Sequence, residues 1–153
     1  MSVPSRAWLS AATLLCLVVA LDQLTKAVVR SQIEAGERRE VLSFLDLVHV
    51  RNDGVAFGAL AGNGAVVIAV VAIAFVALCA YFFRNAQRPW VWLPTGLLLG
   101  GAVGNAIDRI RLGAVTDFVK FPHWPAFNVA DSAITIGVIA LLTLLERGHA
   151  GHR

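Results

Sequence analysis

Residues 115–131, VTDFVKFPHWPAFNVAD, form a short, aromatic, proline-broken stretch between two apolar runs. If those runs are membrane spans, this stretch is what the chain does at one membrane surface. It holds two carboxylates: Asp117 lies inside it, and Asp131 stands where the last apolar run begins. A carboxylate at the mouth of a span is costly and is a candidate functional group by default. So short a loop cannot carry the two acids far apart, and they read as an acid/base pair.

Working outward, the composition supports spans. The 153 residues are 58% hydrophobic and 15% charged, with mean hydropathy +0.71. A soluble domain carries about 25% charge. The expected class is a single all-α membrane domain with four transmembrane helices, at 7–29, 65–83, 90–107 and 129–145. Arg6 and the apolar residues after it would suit a cleaved leader. The run resumes beyond DQLTK, however, and approaches the roughly 20 residues a span needs, so it reads as a retained helix. Between the first two spans, SQIEAGERRE reads as a solvated turn or short helix. Residues 41–51 read as a strand, since Asp46, Val48 and Val50 alternate with Leu45, Leu47 and His49. Asn52-Asp53-Gly54 is a turn signal, after which VAFGAL (55–60) would return as a second strand. A small sheet at one membrane face is the result. Arg84, Arg88 and Pro89 mark a tight connection, and Gly96, Gly100 and Gly104 make a small-residue packing stripe on the third span.

Four spans place both termini on one side. The end of span one, the start of span two, the end of span three and the start of span four then share the other face. Asp22, the 52–58 loop, Asn105, Asp108, Arg109, Asp117, Asn128 and Asp131 therefore converge, whichever way the chain is inserted. Orientation stays open: Lys and Arg number five on the termini side and eight on the other, against the positive-inside rule if the termini are cytoplasmic.

Other function classes find little support. The net charge of +3 comes with no basic block and interleaved aromatics, so no nucleic-acid partner is expected. Cys16 and Cys79 fall inside apolar runs and read as small hydrophobes. Histidines 49, 123, 149 and 152 lack ligand spacing, and neither a metal nor a cofactor is expected.

Two acids close together in a low-dielectric setting share one proton and titrate in two separated steps. That state suits aspartic proteolysis, one acid drawing a proton from water while the other polarises the scissile carbonyl. The plainer alternative makes Asp117 a loop residue and Asp131 a helix cap. Asp22 with Lys26, four residues apart, and Asp108 with Arg109 read as ion pairs bracing the site. Asn105 and Asn128 read as amides orienting a carboxylate or substrate; Asn52, in a turn, is ambiguous. A Ser132–Lys120 dyad, a proton-coupled transporter and a scaffold assembled on the glycine stripe are the competing functions.

The segments DQLTK (22–26), NDGVAFG (52–58), GGAVGNAIDR (100–109), VTDF (115–118) and PAFNVAD (125–131) together resemble the signature blocks of the lipoprotein signal peptidase, or signal peptidase II, family. The blocks come in the family's order and the resemblance covers the whole chain. Val55 stands where the family tends to have a small residue, and the loop between the two aspartates is short for the family. The resemblance implies an aspartic endopeptidase that cuts diacylglyceryl-modified bacterial prolipoproteins just before the lipid-bearing Cys. It makes Asp117 and Asp131 the catalytic pair, lined or braced by Asn52, Gly54, Asn105, Asp108, Arg109, Asn128 and Ala130 with Asp22 and Lys26. It also implies a multi-pass protein of the inner membrane, with cytoplasmic termini and a site at the outer-leaflet face. The expected partners are the prolipoprotein substrate and membrane lipid, and the expected state is a monomer. Residues 41–58 would be a surface cradle. Phe118, Phe121, Trp124 and Phe127 would suit an interfacial lid, since aromatic rings favour the headgroup level.

Overall fold

The computed structural model describes residues 3–54 and 64–150. Its elements are α1 (Val3–Gln32), β1 (Arg38–Leu42), β2 (Leu45–Asn52), α2 (Gly64–Asn85), α3 (Trp92–Leu112), β3 (Val115–Lys120) and α4 (Val129–Ala150). Helices α1 and α3 run well past the expected 7–29 and 90–107. Polar residues after each apolar core continue the helix, because Asp22, Lys26, Arg30 and Asp108 find partners on neighbouring elements.

Packing is inverted relative to a soluble bundle. Over the first part of α1 the buried positions are the small Ala7, Ala11 and Val18, while along the helix Leu17, Leu21, Leu24 and Val28 face outward. On α4, Ile136, Ile139 and Leu142 are exposed in the same way. Helices that associate in lipid gain by close backbone approach and leave large apolar side chains to the acyl chains. Among the described residues two stretches, Arg6–Gln32 and Val129–Arg147, are long and apolar enough to cross a membrane, and Ala72–Asn85 is a shorter apolar stretch.

Glycines set the approach of α3 to its neighbours. A Cβ on Gly96 would lie 2.9 Å from that of Leu14, and one on Gly100 would lie 2.8 Å from that of Val18. On the other side, a Cβ on Gly101 would sit 2.5 Å from the Ala130 carbonyl oxygen. The stripe at Gly96 and Gly100 is thus the packing face its spacing suggested, turned toward α1. Gly101, outside that stripe, does the same for α4. At the far end from the sheet, Trp8 packs edge-on to Phe82 at 4.4 Å, and Ala7, Ala11, Phe82, Ala86 and Val91 form a small core.

The sheet is three-stranded and antiparallel, in the order β1-β2-β3. Residues 41–51 are not one strand: the chain turns at Ser43 and Phe44, so that Leu42 pairs Leu45. Alternation holds on β2, where Asp46 and Val48 are buried, but Val50 is exposed. The predicted second strand, 55–60, lies outside the described residues. Among the described residues the third strand is Val115–Lys120, around Asp117, with Val50 opposite Asp117 and Asn52 opposite Val115. Val115–Lys120 is extended because β-branched and aromatic residues there pack on the α1 end: Phe118 lies in a core with Val29 and Ile33. Phe118 is therefore not a lid residue. The return loop is closed by Phe127, whose carbonyl accepts from the Phe118 and Val119 amides and whose N–H donates to Val119. Trp124 stays exposed at its tip.

Candidate functional site

Four acids sit at the sheet end of the bundle. The C-terminal half of α1 brings the first cations. Lys26 is fully buried, 2.8 Å from Asp22 and 3.4 Å from Asp108. Arg30, one turn on, is 3.6 Å from Asp108 and donates to the Thr116 hydroxyl at 3.1 Å. Gln23 donates to Asp22, to the Gly104 carbonyl and to Asp108. Asp108 also accepts the Thr116 main-chain N–H at 2.9 Å, which fixes β3 to α3. Asp22 in turn accepts the Ala130 N–H at 2.9 Å, one of the donors a helix leaves free at its N-terminus. The α1 acid thus holds the start of α4.

Asp117 and Asp131 meet amides instead. Asn52 and Asn128 donate to the two oxygens of Asp117 at 2.8 and 2.7 Å. Asn105 donates to Asp131 Oδ1 at 2.8 Å, and the Asn128 main-chain N–H donates to its Oδ2 at 3.2 Å. Asn128 therefore touches both acids. Each amide has its orientation dictated chemically, since an ammonium or a main-chain N–H can only donate. Lys26 donates to Asn105 Oδ1 at 3.0 Å, so the NH2 end of Asn105 faces Asp131. The Asp131 N–H donates to Asn128 Oδ1, so the NH2 end of Asn128 faces Asp117. The Gly54 N–H donates to Asn52 Oδ1, so its NH2 end also faces Asp117. Gly54 has φ 90°, a conformation glycine adopts without strain, and that turn aims Asn52. Asn128 and Asp131 exchange side-chain and main-chain bonds as a capping box. The capping role foreseen for Asp131 thus belongs to Asn128, with Asp131 as its partner one turn in.

Burial raises the Asp117 carboxyl to about 6, with the neighbouring Asp131 charge adding to the rise. The hydrogen bonds from Asn52 and Asn128 and the charge of Lys26 oppose it. Asp117 is 2% exposed, and desolvation disfavours the charged form of an acid. Among the described residues every buried side-chain nitrogen and oxygen has a partner. No three His, Cys, Asp or Glu side chains among them are grouped to hold a metal ion.

The structure brings together Asp22, Lys26, Asn52, Gly54, Asn105, Asp108, Asp117, Asn128, Ala130 and Asp131. The expected Asp108–Arg109 pair does not form among the described residues: Asp108 pairs with Lys26 and Arg30 across the helix interface rather than with its chain neighbour. Adjacent helical residues point about 100° apart, whereas an aspartate facing α1 meets every cation on that side. Nor is there a Ser132–Lys120 dyad. The serine donates to the Asn128 carbonyl and the lysine to the Trp124 carbonyl. Sequence reasoning missed Gln23, Arg30 and Thr116. Arg30 continues the 22–26–30 helical spacing and was within reach; Thr116 contacts Asp108 through its backbone and gave no signal.

A family model described as "Signal peptidase (SPase) II" matches residues 14–146. The chain is 45% identical over 139 residues to the lipoprotein signal peptidase of Moorella thermoacetica, covering 88% of this chain and 93% of that one. It is 43% identical over 149 residues to the lipoprotein signal peptidase of Syntrophotalea carbinolica, covering 90% and 91%. Two solved bacterial membrane enzymes, determined in meso at 1.9 and 2.3 Å, superpose with TM-scores of 0.81 and 0.85. Their identities to this chain are 34% and 32%; the matches cover 88% and 94% of this chain and 91% of each structure.

Proposed function

This chain belongs to the signal peptidase II family, and on that premise we propose that it is an aspartic endopeptidase acting on lipid-modified prolipoproteins. The observation that carries the catalytic assignment is Asn128, one residue bonded to both Asp117 and Asp131. Asn128 holds the two acids at one site, and in this reading one of them carries a proton while the other is charged. The charged acid takes a proton from water as the water oxygen bonds to the scissile carbonyl carbon, and the protonated acid gives its proton to the carbonyl oxygen. As the resulting diol collapses, the C–N bond breaks and the amine nitrogen leaves with a proton from the first acid. The second acid recovers its own from a diol hydroxyl.

The substrate is a prolipoprotein cut just before its diacylglyceryl-modified Cys. A substrate held in the bilayer by its acyl chains approaches sideways, and the pair lies where α1 and α3 leave their apolar cores and α4 enters its own. All four helices span the inner membrane in this reading. The termini are cytoplasmic, the sheet lies against the outer leaflet, and a single copy suffices. Asn52, Asn105 and Asn128 orient the pair; Asp22, Lys26, Asp108 and Ala130 brace it. The test is incubation of the purified chain with a lipid-modified prolipoprotein. The native protein should release the signal peptide and Asp117→Asn should not. Near-native turnover by that variant would remove Asp117 from the chemistry.

A further inference from the structure

We propose that Lys26, acting through Asn105, is a positioning residue that keeps the negative charge of the pair on Asp131 and leaves the shared proton on Asp117. The two acids are matched in hydrogen bonds, since each oxygen of each one receives an amide. They differ in what stands behind those amides. Behind Asn105 is the Lys26 ammonium, 3.0 Å from its carbonyl oxygen, and a bond donated down such a chain is strengthened by the one before it. Among the described residues, what stands behind Asn52 and Asn128 is a main-chain N–H in each case. Asp131 also lies in the first turn of α4, where the helix presents partial positive charge. Asp117 is on a strand, which offers little dipole, and is the more deeply buried of the two.

The Lys26 charge also acts on Asp117, where it opposes the rise, but burial and the neighbouring Asp131 charge outweigh it there. From α1 come Asp22, Lys26 and Arg30, and from α3 comes Asp108; Lys26 bridges the two acids and Arg30 adds a second contact to Asp108. Just after β2, Asp53 is exposed beside Arg51. Lys26 commits itself to Asp22, Asp108 and Asn105, which matches the three donors of an ammonium. It therefore reaches Asp131 through the amide and not by direct contact. Asp131 is then the base that takes the proton from water, and Asp117 the acid that protonates the carbonyl oxygen.

The kinetic half of this inference rests on the peptidase reading, whereas the proton's location can be read without turnover. Infrared spectra at about pH 5, below the range in which Asp117 releases its proton, should show a protonated-carboxyl band. Asp117→Asn should lose that band and Asp131→Asn should keep it; the opposite pattern overturns the proposal even if the chain cleaves nothing. With substrate, Lys26→Gln retains an amide donor but no charge. It should move the acidic limb of the kcat/KM profile up by about one pH unit, the size expected on losing a nearby cation. A lysine that only supports the fold would lower the yield of folded enzyme and leave the limb in place. The double variant Asp22→Asn with Lys26→Gln removes both charges together and should show the same displacement if the single variant does not fold. If neither is recovered, the infrared pattern decides.

Discussion

Four acids lie within one end of this bundle, and they fall into two kinds. Asp22 and Asp108 are buried against Lys26 and Arg30. Asp117 and Asp131 are met by asparagines and a main-chain N–H. A buried acid facing a cation does structural work, since removing either member leaves an uncompensated charge. A buried acid facing neutral donors can lose or gain a proton without breaking its surroundings. Helices supply three of the four and a strand supplies Asp117, but it is the partners that separate the two kinds.

That contrast predicts which substitutions cost turnover and which cost folding. The largest effect belongs to the amide-met acids. Asp117→Asn and Asp131→Asn should each cut single-turnover cleavage by about 10²–10⁴-fold or more, with folded yield unchanged in detergent. Asp108→Ala should act oppositely, lowering unfolding stability by about 3–5 kcal/mol while the molecules that do fold still cleave. Folded, active Asp108→Ala alongside an unfolded Asp117→Asn would erase the distinction.

A pH series sharpens it. The Asp117 carboxyl is raised from 3.8 to about 6, so the unfolded chain gives up that proton first. Its contribution is fully present below about pH 4 and is lost as pH rises through about 6, on the order of 1–3 kcal/mol. Native protein should show this decline in denaturant titrations between pH 4 and 7, and Asp117→Asn should lack it. Gly101→Ala should cost about 1–3 kcal/mol by overpacking, because its Cβ would press on the Ala130 carbonyl. A thermal melt reads this, and cleavage should fall too, since α4 carries Asp131. Arg38→Ala bounds the series from below. Its partner Asp46 is buried, but Arg38 itself is 68% exposed. Loss of such a solvent-screened pair should cost no more than about 1 kcal/mol in the same melt.

Much of this was legible in the chain because charge in an apolar run must be answered. Helix parity alone placed Asp22, Asn105, Asp108, Asp117, Asn128 and Asp131 at one end, and the i,i+4 spacing of Asp22 and Lys26 gave a true pair. What escaped depended on tertiary direction. Asp108 looked satisfied by Arg109 because the two are adjacent, yet the face it presents is decided by α1 packing along the glycines. The strand at 115–120 was hidden because its partner, β2, lies more than 60 residues earlier, and the prolines and aromatics around it read as a loop. Residues 41–51 alternate well enough to pass for one strand, and only the pairing of Leu42 with Leu45 reveals the reversal.

The bond from the Ala130 N–H to Asp22 joins residues 108 apart in sequence. While the chain is being made, its first helix therefore carries an acid whose final partner is still unsynthesised, and Lys26 on the same helix is its only local counter-charge. A nascent chain lacking α4 can hold Asp22 and Lys26 as a self-neutralising unit but has no Asp131. On the proposed reading, such a design withholds hydrolytic competence until α4 has been made.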